Sequence, residues 1–311
     1  MKKLILKNPS YRFLEQSFGE WLDVLGYAPA TVYGLPRCVR EFLHYLEGQG
    51  INKIQQIDTP IITQYYRELS QRKNERRGGG LSNNYLNVHL HALDKLLEYL
   101  RKQARIPIPV LEIKKETPNP QPIQPLTTEQ VKSLYEATGV KEDKYPDLAL
   151  RDRAMLAVFY DCGLRRNEGV RLNLTDIHFD NRLIHVRHGK GSQPRFVPFG
   201  KATARHLISY TYDARPHLMR DNEAAFFIGP RGSRANGMAL SRRLKLLQER
   251  SDDPVLQGMD IHLHVLRHSI ATHLLYEGMD LEKVGQFLGH RSLDSTQIYT
   301  HLMEKVYGQT N

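Results

Sequence analysis

Four segments of the 311-residue chain place a cation or a nucleophile at a punctuated position: GLRRNE at 163–168, HGKGSQPRFVPF at 188–199, HVLRHSIATHLL at 264–275 and LGHRSLDSTQIYT at 288–300, the last with Tyr299 inside it. These residue types suit attack on a phosphodiester. Charge that develops on non-bridging oxygens is well held by planar guanidinium groups such as Arg165 and Arg267, which donate in forks. His264 and His290 can add donors or carry the nucleophile's proton. A free phenol has a pKa of about 10, so about one in a thousand is ionised at neutral pH. Nearby cations favour the phenolate or its development in the transition state. The leaving oxygen needs a proton, and Lys190, between two glycines, stands on a loop flexible enough to bring one.

Singly, each residue also has a structural explanation. Arg165 after Gly163 suits a surface arginine at a helix start, Lys190 an exposed hairpin tip, and His290 a helix C-terminal residue facing the dipole. Tyr299 is one of 16 tyrosines, most of which in any protein simply pack. The chemistries that compete for such a site are poorly served. Two-metal nucleases gather carboxylates around the phosphate, whereas this set is cationic. His262, His264 and His268 lie close in sequence, but there is no HExxH pattern to complete a zinc site. GKGS lacks the upstream glycine of a phosphate-binding P-loop.

Taken in order, GLRRNE, GKGSQPRFVPF, HVLRHSIATHLL and FLGHRSLDSTQIYTH resemble the motifs of the tyrosine recombinase, or phage-integrase, family and its Xer-like members. The resemblance covers about Leu126 to His301. It implies that Arg165, Lys190, His264, Arg267 and His290 form the activating set and Tyr299 the nucleophile, with Glu168 as an acidic supporting residue. No departure occurs at those six principal positions, although Arg166 and Asn167 stand where Ile-Ser is commoner. It further implies site-specific strand cleavage and rejoining through a 3′-phosphotyrosyl intermediate without metal, ATP or other cofactor. Double-stranded DNA with specific sites would be the partner, bound by a homo-tetramer, or a hetero-tetramer with a related recombinase. The 12 residues after Tyr299 would dock on a neighbour or close over their own subunit. Two other readings share the residues: a catalytically silent DNA-binding architectural protein, and a type IB-like topoisomerase.

The elements that must position these residues are mostly helices. Phe13, Leu14, Phe18, Trp21, Leu22 and Leu25 recur at helical spacing before Gly26, and Val32 to Leu46 mark a second apolar face before Gly48. Further helices are expected from Thr59 to Arg72 and from Ser82 to Lys102, separated by the basic loop QRKNERRGGG, whose arginines could touch a phosphate backbone. Prolines at 107, 109, 118, 120, 122 and 125 predict that 106–125 is an extended linker outside either core. Beyond it, Thr127 or Thr128 caps a helix, and 148–161 forms a buried one. RLIHVRH and RFVPF read as strands of a β-hairpin. Helices resume near Lys201, Leu240, His264, Asp280 and Leu293, with His264 and Arg267 on one face, pointing away from an apolar side made by Leu263, Leu266, Ile270 and Leu274. The expected fold is mainly α with a small β-sheet. In the family's terms it has an N-terminal helical core-binding (SAM-like) domain at 1–105 and a mixed α/β catalytic domain at 126–311.

Composition agrees with this outline. With 40% hydrophobic and 25% charged residues the chain is an ordinary globular protein, long enough for two domains. A net charge of +10 favours polyanionic partners by counterion displacement, without separating DNA from RNA or an anionic membrane. Cys38 and Cys162 form no CxxC pair and no disulfide framework, which suits a reducing cytoplasm. The apolar run in MKKLILKNPS is too short for a signal peptide, and no stretch reaches membrane-spanning length.

Overall fold

The computed structural model describes residues 4–75, 78–117, 123–139, 145–187 and 194–289. The chain divides into two compact units, up to residue 121 and from 122 onwards. Among the described residues no helix is long and apolar enough to cross a membrane.

Among the described residues four α-helices build the first unit: α1 (Pro9–Val24), α2 (Pro29–Gly48), α3 (Thr59–Gln71) and α4 (Asn83–Lys102). Their starts follow from local chemistry. Asn8, Asp58 and Ser82 accept hydrogen bonds from the first-turn amides of α1, α3 and α4, and proline opens α1 and α2 where a missing N–H costs nothing. The apolar stripes then meet in one core, in which Tyr11, Phe18, Leu22, Phe42, Leu43, Leu46, Leu96 and Leu97 are fully enclosed. Each large side chain so buried contributes about 1.5–3 kcal/mol.

The proline-rich stretch departs from its expected place outside both cores. Ile108 is buried in the first unit, and Ile106, Leu111 and Ile113 pack against the same cluster. Asn87 Nδ2 donates to the Glu116 carbonyl while its Oδ1 accepts from the Glu116 amide, the Tyr66 hydroxyl donates to the Glu116 carboxylate, and Arg101 donates to the Pro109 carbonyl. Proline supplies no ladder donors, which makes the stretch look like a linker, but side chains of α4 take over the partnering of its backbone and Tyr66 of α3 holds the Glu116 carboxylate. On the other side of residues 118–122, Ile123 and Leu126 belong to the core of the second unit.

The second unit begins with α5 (Thr128–Glu136), capped reciprocally by Thr127 and Gln130. Next comes α6 (Pro146–Leu156), which widens into a π-helical turn at Ala157–Asp161, so the predicted helix is present with its last turn wound differently. Ala154 to Phe159 are fully buried. Asp161 closes the turn by accepting from Thr203 and Tyr135, and burial pushes its carboxyl up to about 6. A short helix α7 (Arg166–Arg171) precedes the sheet.

Among the described residues the sheet has three antiparallel strands, β1 (Ile177–His178), β2 (Leu183–Val186) and β3 (Arg195–Pro198), in that order, with Ile184 between Ile177 and Val197. The expected two-stranded hairpin therefore gains an edge strand. Two residues are too few to show an alternation in sequence, which is why β1 is not legible there. Ile184, Val186 and Val197 face the core, whereas Phe196 lies on the exposed side stacked on His185. After it come α8 (Lys201–Ser209), α9 (Arg215–Leu218), α10 (Gly237–Arg250), α11 (Pro254–Gly258), α12 (Leu263–Tyr276) and α13 (Leu281–Leu288). The helix expected near Leu293 falls outside the described residues.

Candidate active site

Arg165 is the N-cap residue of α7, extended at φ −67° and ψ 151°. Its amide donates to Glu168 Oε2 at 2.9 Å and its Nη1 to Oε1 at 2.9 Å. Glu168 sits in the first turn, where the helix dipole favours a carboxylate. It is also held by Arg195 at the start of β3, whose Nη1 and Nη2 reach Oε1 and Oε2 at 3.2 and 3.0 Å. Burial alone would raise this carboxyl, but hydrogen bonds and charge from Arg195, together with the Arg165 contacts, outweigh it and bring the pKa down to about 2.

Arg267 lies in the second turn of α12 with only 3% exposure. Its Nη1 donates to the Gly163 carbonyl and its Nη2 to the Leu288 carbonyl at 2.7 Å. The expectation that Arg267 points away from the packed side of α12 is corrected by this geometry. The guanidinium enters the core because two backbone carbonyls replace its water, one after the π turn and one at the end of α13. Gly163 makes this approach possible. It has φ +58°, and a Cβ there would meet Leu288 Cδ2 at 2.8 Å.

Arg165, Arg195 and Arg267 converge on one helix end. Arg195 Nε donates to the Phe287 carbonyl at 3.2 Å, Arg267 to that of Leu288, and Arg165 Nη2 to that of Gly289 at 3.1 Å. The last carbonyls of a helix have no intrahelical donor and carry its negative pole. Three guanidinium groups supply those donors and lie together without mutual charge alone dictating their spacing. Gly289 ends the helix in the left-handed conformation, φ 69°.

His264 is on the exposed side of α12, one turn before Arg267. Desolvation, then the neighbouring His262, Arg267, Arg166 and Arg165, lowers its pKa below the ordinary imidazole value. At neutral pH the ring is therefore biased towards the uncharged form, able to accept a proton. His268, deeper in the helix, is pushed down to about 4 by burial and by His264, Arg267 and His262. The rings of His262 and His264 are 6.1 Å apart and steeply inclined, and among the described residues no group of three or more His, Cys, Asp or Glu is placed to hold a metal ion.

Of the sequence-predicted residues, the structure thus gathers Arg165, Glu168, His264 and Arg267. Lys190, His290 and Tyr299 lie outside the described residues. Arg72 of the basic loop is paired with Glu41. Sequence reasoning missed Arg195. An arginine opening a strand looks like a solvated edge residue, and the only hint was that a buried Glu168 would need more than one cation.

The Glu168 cluster predicts an acid-dependent stability. Its folded pKa, about 2, lies below the reference value of 4.5, so the stabilisation is complete above pH 4.5 and is lost as the pH falls towards 2. The shift corresponds to about 3 kcal/mol. Urea midpoints measured between pH 7 and pH 3 should fall more steeply for the natural protein than for Glu168→Gln; parallel curves would contradict this account.

The profile of the phage integrase family matches residues 124–305. Tyrosine recombinase XerC 2 of Ralstonia nicotianae is 31% identical over 294 residues, spanning 94% of this chain and 82% of the relative. Tyrosine recombinase XerD of Mycobacterium tuberculosis is 31% identical over 289 residues, 91% of each. The crystal structure of XerH site-specific recombinase bound to difH substrate, a pre-cleavage complex, matches with a TM-score of 0.74 at 20% identity, covering 100% of this chain and 90% of that one. At that identity the match shows a shared fold.

Proposed function

We infer that this chain, which belongs to the phage integrase family, is a site-specific tyrosine recombinase, a DNA breaking-and-rejoining enzyme. The observation that carries the reading is the convergence of Arg165 and Arg267 beside a deprotonation-prone His264, a donor array suited to a phosphate in its transition state.

In the proposed reaction the Tyr299 oxygen attacks the scissile phosphorus. A 3′-phosphotyrosyl bond forms, and the bond to the 5′-oxygen breaks. The phenolic proton passes to His264 or His290. Arg165 and Arg267 hold the non-bridging oxygens, and Lys190 gives the leaving 5′-oxygen its proton. The reverse attack, by a 5′-hydroxyl from the partner duplex, releases the tyrosine. Because the phosphodiester is exchanged rather than hydrolysed, no ATP is consumed. Residues 1–105 would serve as a core-binding domain on DNA and 126–311 as the catalytic domain. Exchange between two duplexes requires four active sites, so a tetramer on paired sites is part of the proposal. A cytoplasmic setting fits the DNA substrate and the two free thiols, Cys38 and Cys162.

The test is covalent trapping. The full chain is incubated with nicked duplexes carrying a randomised core, in which loss of the short downstream fragment prevents religation. An adduct whose protease digest leaves the nucleotide on the peptide containing Tyr299 supports the reading, and absence of any adduct from a deep pool rejects it. Lys190→Ala should then slow cleavage by about 10²–10⁴-fold, the usual worth of a positioned general acid. A 5′-thio leaving group, which departs without a proton, should restore most of that loss. Equal slowing on both substrates would remove Lys190 from this role.

A further inference from the structure

We propose that Arg195 is a positioning residue for strand cleavage: it clamps Glu168, and through it Arg165, to the C-terminal end of α13. The inference rests on the reading of Arg165 as a phosphate-binding group.

Both prongs of the Arg195 guanidinium end on the Glu168 carboxylate, and its third nitrogen ends on the Phe287 carbonyl. Its side chain is 10% exposed. With its fork committed to the carboxylate, Arg195 acts through its neighbours. Glu168 in turn receives both the amide and Nη1 of Arg165, which fixes the direction of that guanidinium. Arg195 therefore ties the Glu168 carboxylate to the last turn of α13, beside the direct contact of Arg165 with the Gly289 carbonyl.

The fit at α13 is close. A Cβ at Gly289 would come within 2.7 Å of Arg195 Nη1 and 2.8 Å of its Cζ, so the helix end rests directly on the guanidinium. The chain gives this contact leverage. His290 follows Gly289 immediately, and Lys190 precedes Arg195 by five positions on the segment that leads into β3. Arg195 thus joins α7, the start of β3 and the end of α13, next in sequence to the segments that carry Lys190 and His290. Three coplanar donors are needed to serve a carboxylate and a carbonyl at once, and lysine cannot supply that geometry.

The experiment uses the full chain and the nicked duplex recovered by trapping. Misplacement of reacting groups by about 1 Å costs on the order of 10²-fold, so Arg195→Gln should slow adduct formation by about 10–100-fold. Affinity for the uncleaved duplex should change by less than about 3-fold, because the phosphate contacts that dominate affinity remain. Arg195→Lys, which keeps the charge, should restore thermal stability but not the rate. The decisive readout is a double-mutant cycle. If Arg195 works by aiming Arg165, adding Arg195→Gln to Arg165→Lys should cost less than about 3-fold further. Fully multiplicative losses, or a wild-type rate for Arg195→Gln, would overturn the proposal. Should Arg195→Gln fail to fold, Arg195→Lys carries the same cycle. A wild-type chain that forms no adduct would instead refute the functional reading, which keeps the two failures apart.

Discussion

Tyr299→Phe should abolish covalent capture of DNA while leaving DNA binding nearly unchanged. The phenylalanine ring keeps the volume and apolar area of tyrosine and lacks only the oxygen that would bond to phosphorus. In-line displacement depends on the distance and angle of the attacking oxygen, which the substitution removes. The expected loss is the whole of the trapped product, below about 10⁻⁴ of wild type, the scale on which removal of a nucleophile that works within a catalytic unit falls. Binding of the uncleaved duplex, read by gel shift at fixed salt, should stay within about 2-fold because its main contribution is contact with the phosphate backbone. An adduct on another tyrosine would show that position 299 has been misassigned.

The second large effect is expected at Arg267. Its guanidinium is almost fully buried and satisfies the carbonyls of Gly163 and Leu288. Arg267→Gln would leave at least one of them without a donor, a cost of about 1–3 kcal/mol in stability. Its catalytic effect should be larger. A preorganised donor to a developing oxyanion is worth about 10²–10³-fold in rate, and this one also fixes the loop before α7 against the end of α13. Cleavage by Arg267→Gln should therefore fall at least 10²-fold at a temperature well below its melting point. Arg267→Lys should not restore it, since an ammonium cannot span two carbonyls and a phosphate oxygen. A lysine variant within about 3-fold of wild type would contradict the role drawn from the fork.

How much of this was legible in the residues depends on the range of the interaction. The first-unit helices follow from apolar spacing and local caps such as Ser82 and Asp58, and their ends are set within a residue or two by the same signals. Arg165, Glu168, His264 and Arg267 were marked by motif wording. What the wording does not carry is direction. The 3.6-residue period places Arg267 beside His264, but it cannot tell that carbonyls 21 and 104 residues away draw the guanidinium inward. The same holds for Arg195, whose partners are 27 and 92 residues distant. Proline content misled over 106–117 for a related reason: it reports the missing donors correctly and is silent about acceptors and apolar side chains that another helix can satisfy. Local chemistry reads well from sequence, whereas a charged side chain's surroundings are a property of the assembled chain.

The π-helical turn at Ala157–Asp161 gives the protein some slack in length. Such a turn holds one more residue than the α-helix around it. Removing one of those five residues would leave composition and hydrophobicity almost intact and let α6 continue at ordinary pitch over the same arc. Gly163 and Arg165 would then leave the helix end in nearly their present direction. In α12, which has no such turn, the same deletion would rotate every later residue by about 100° about the helix axis. The distance in sequence from α6 to Arg165 can therefore change by one residue, whereas the spacing within α12 cannot.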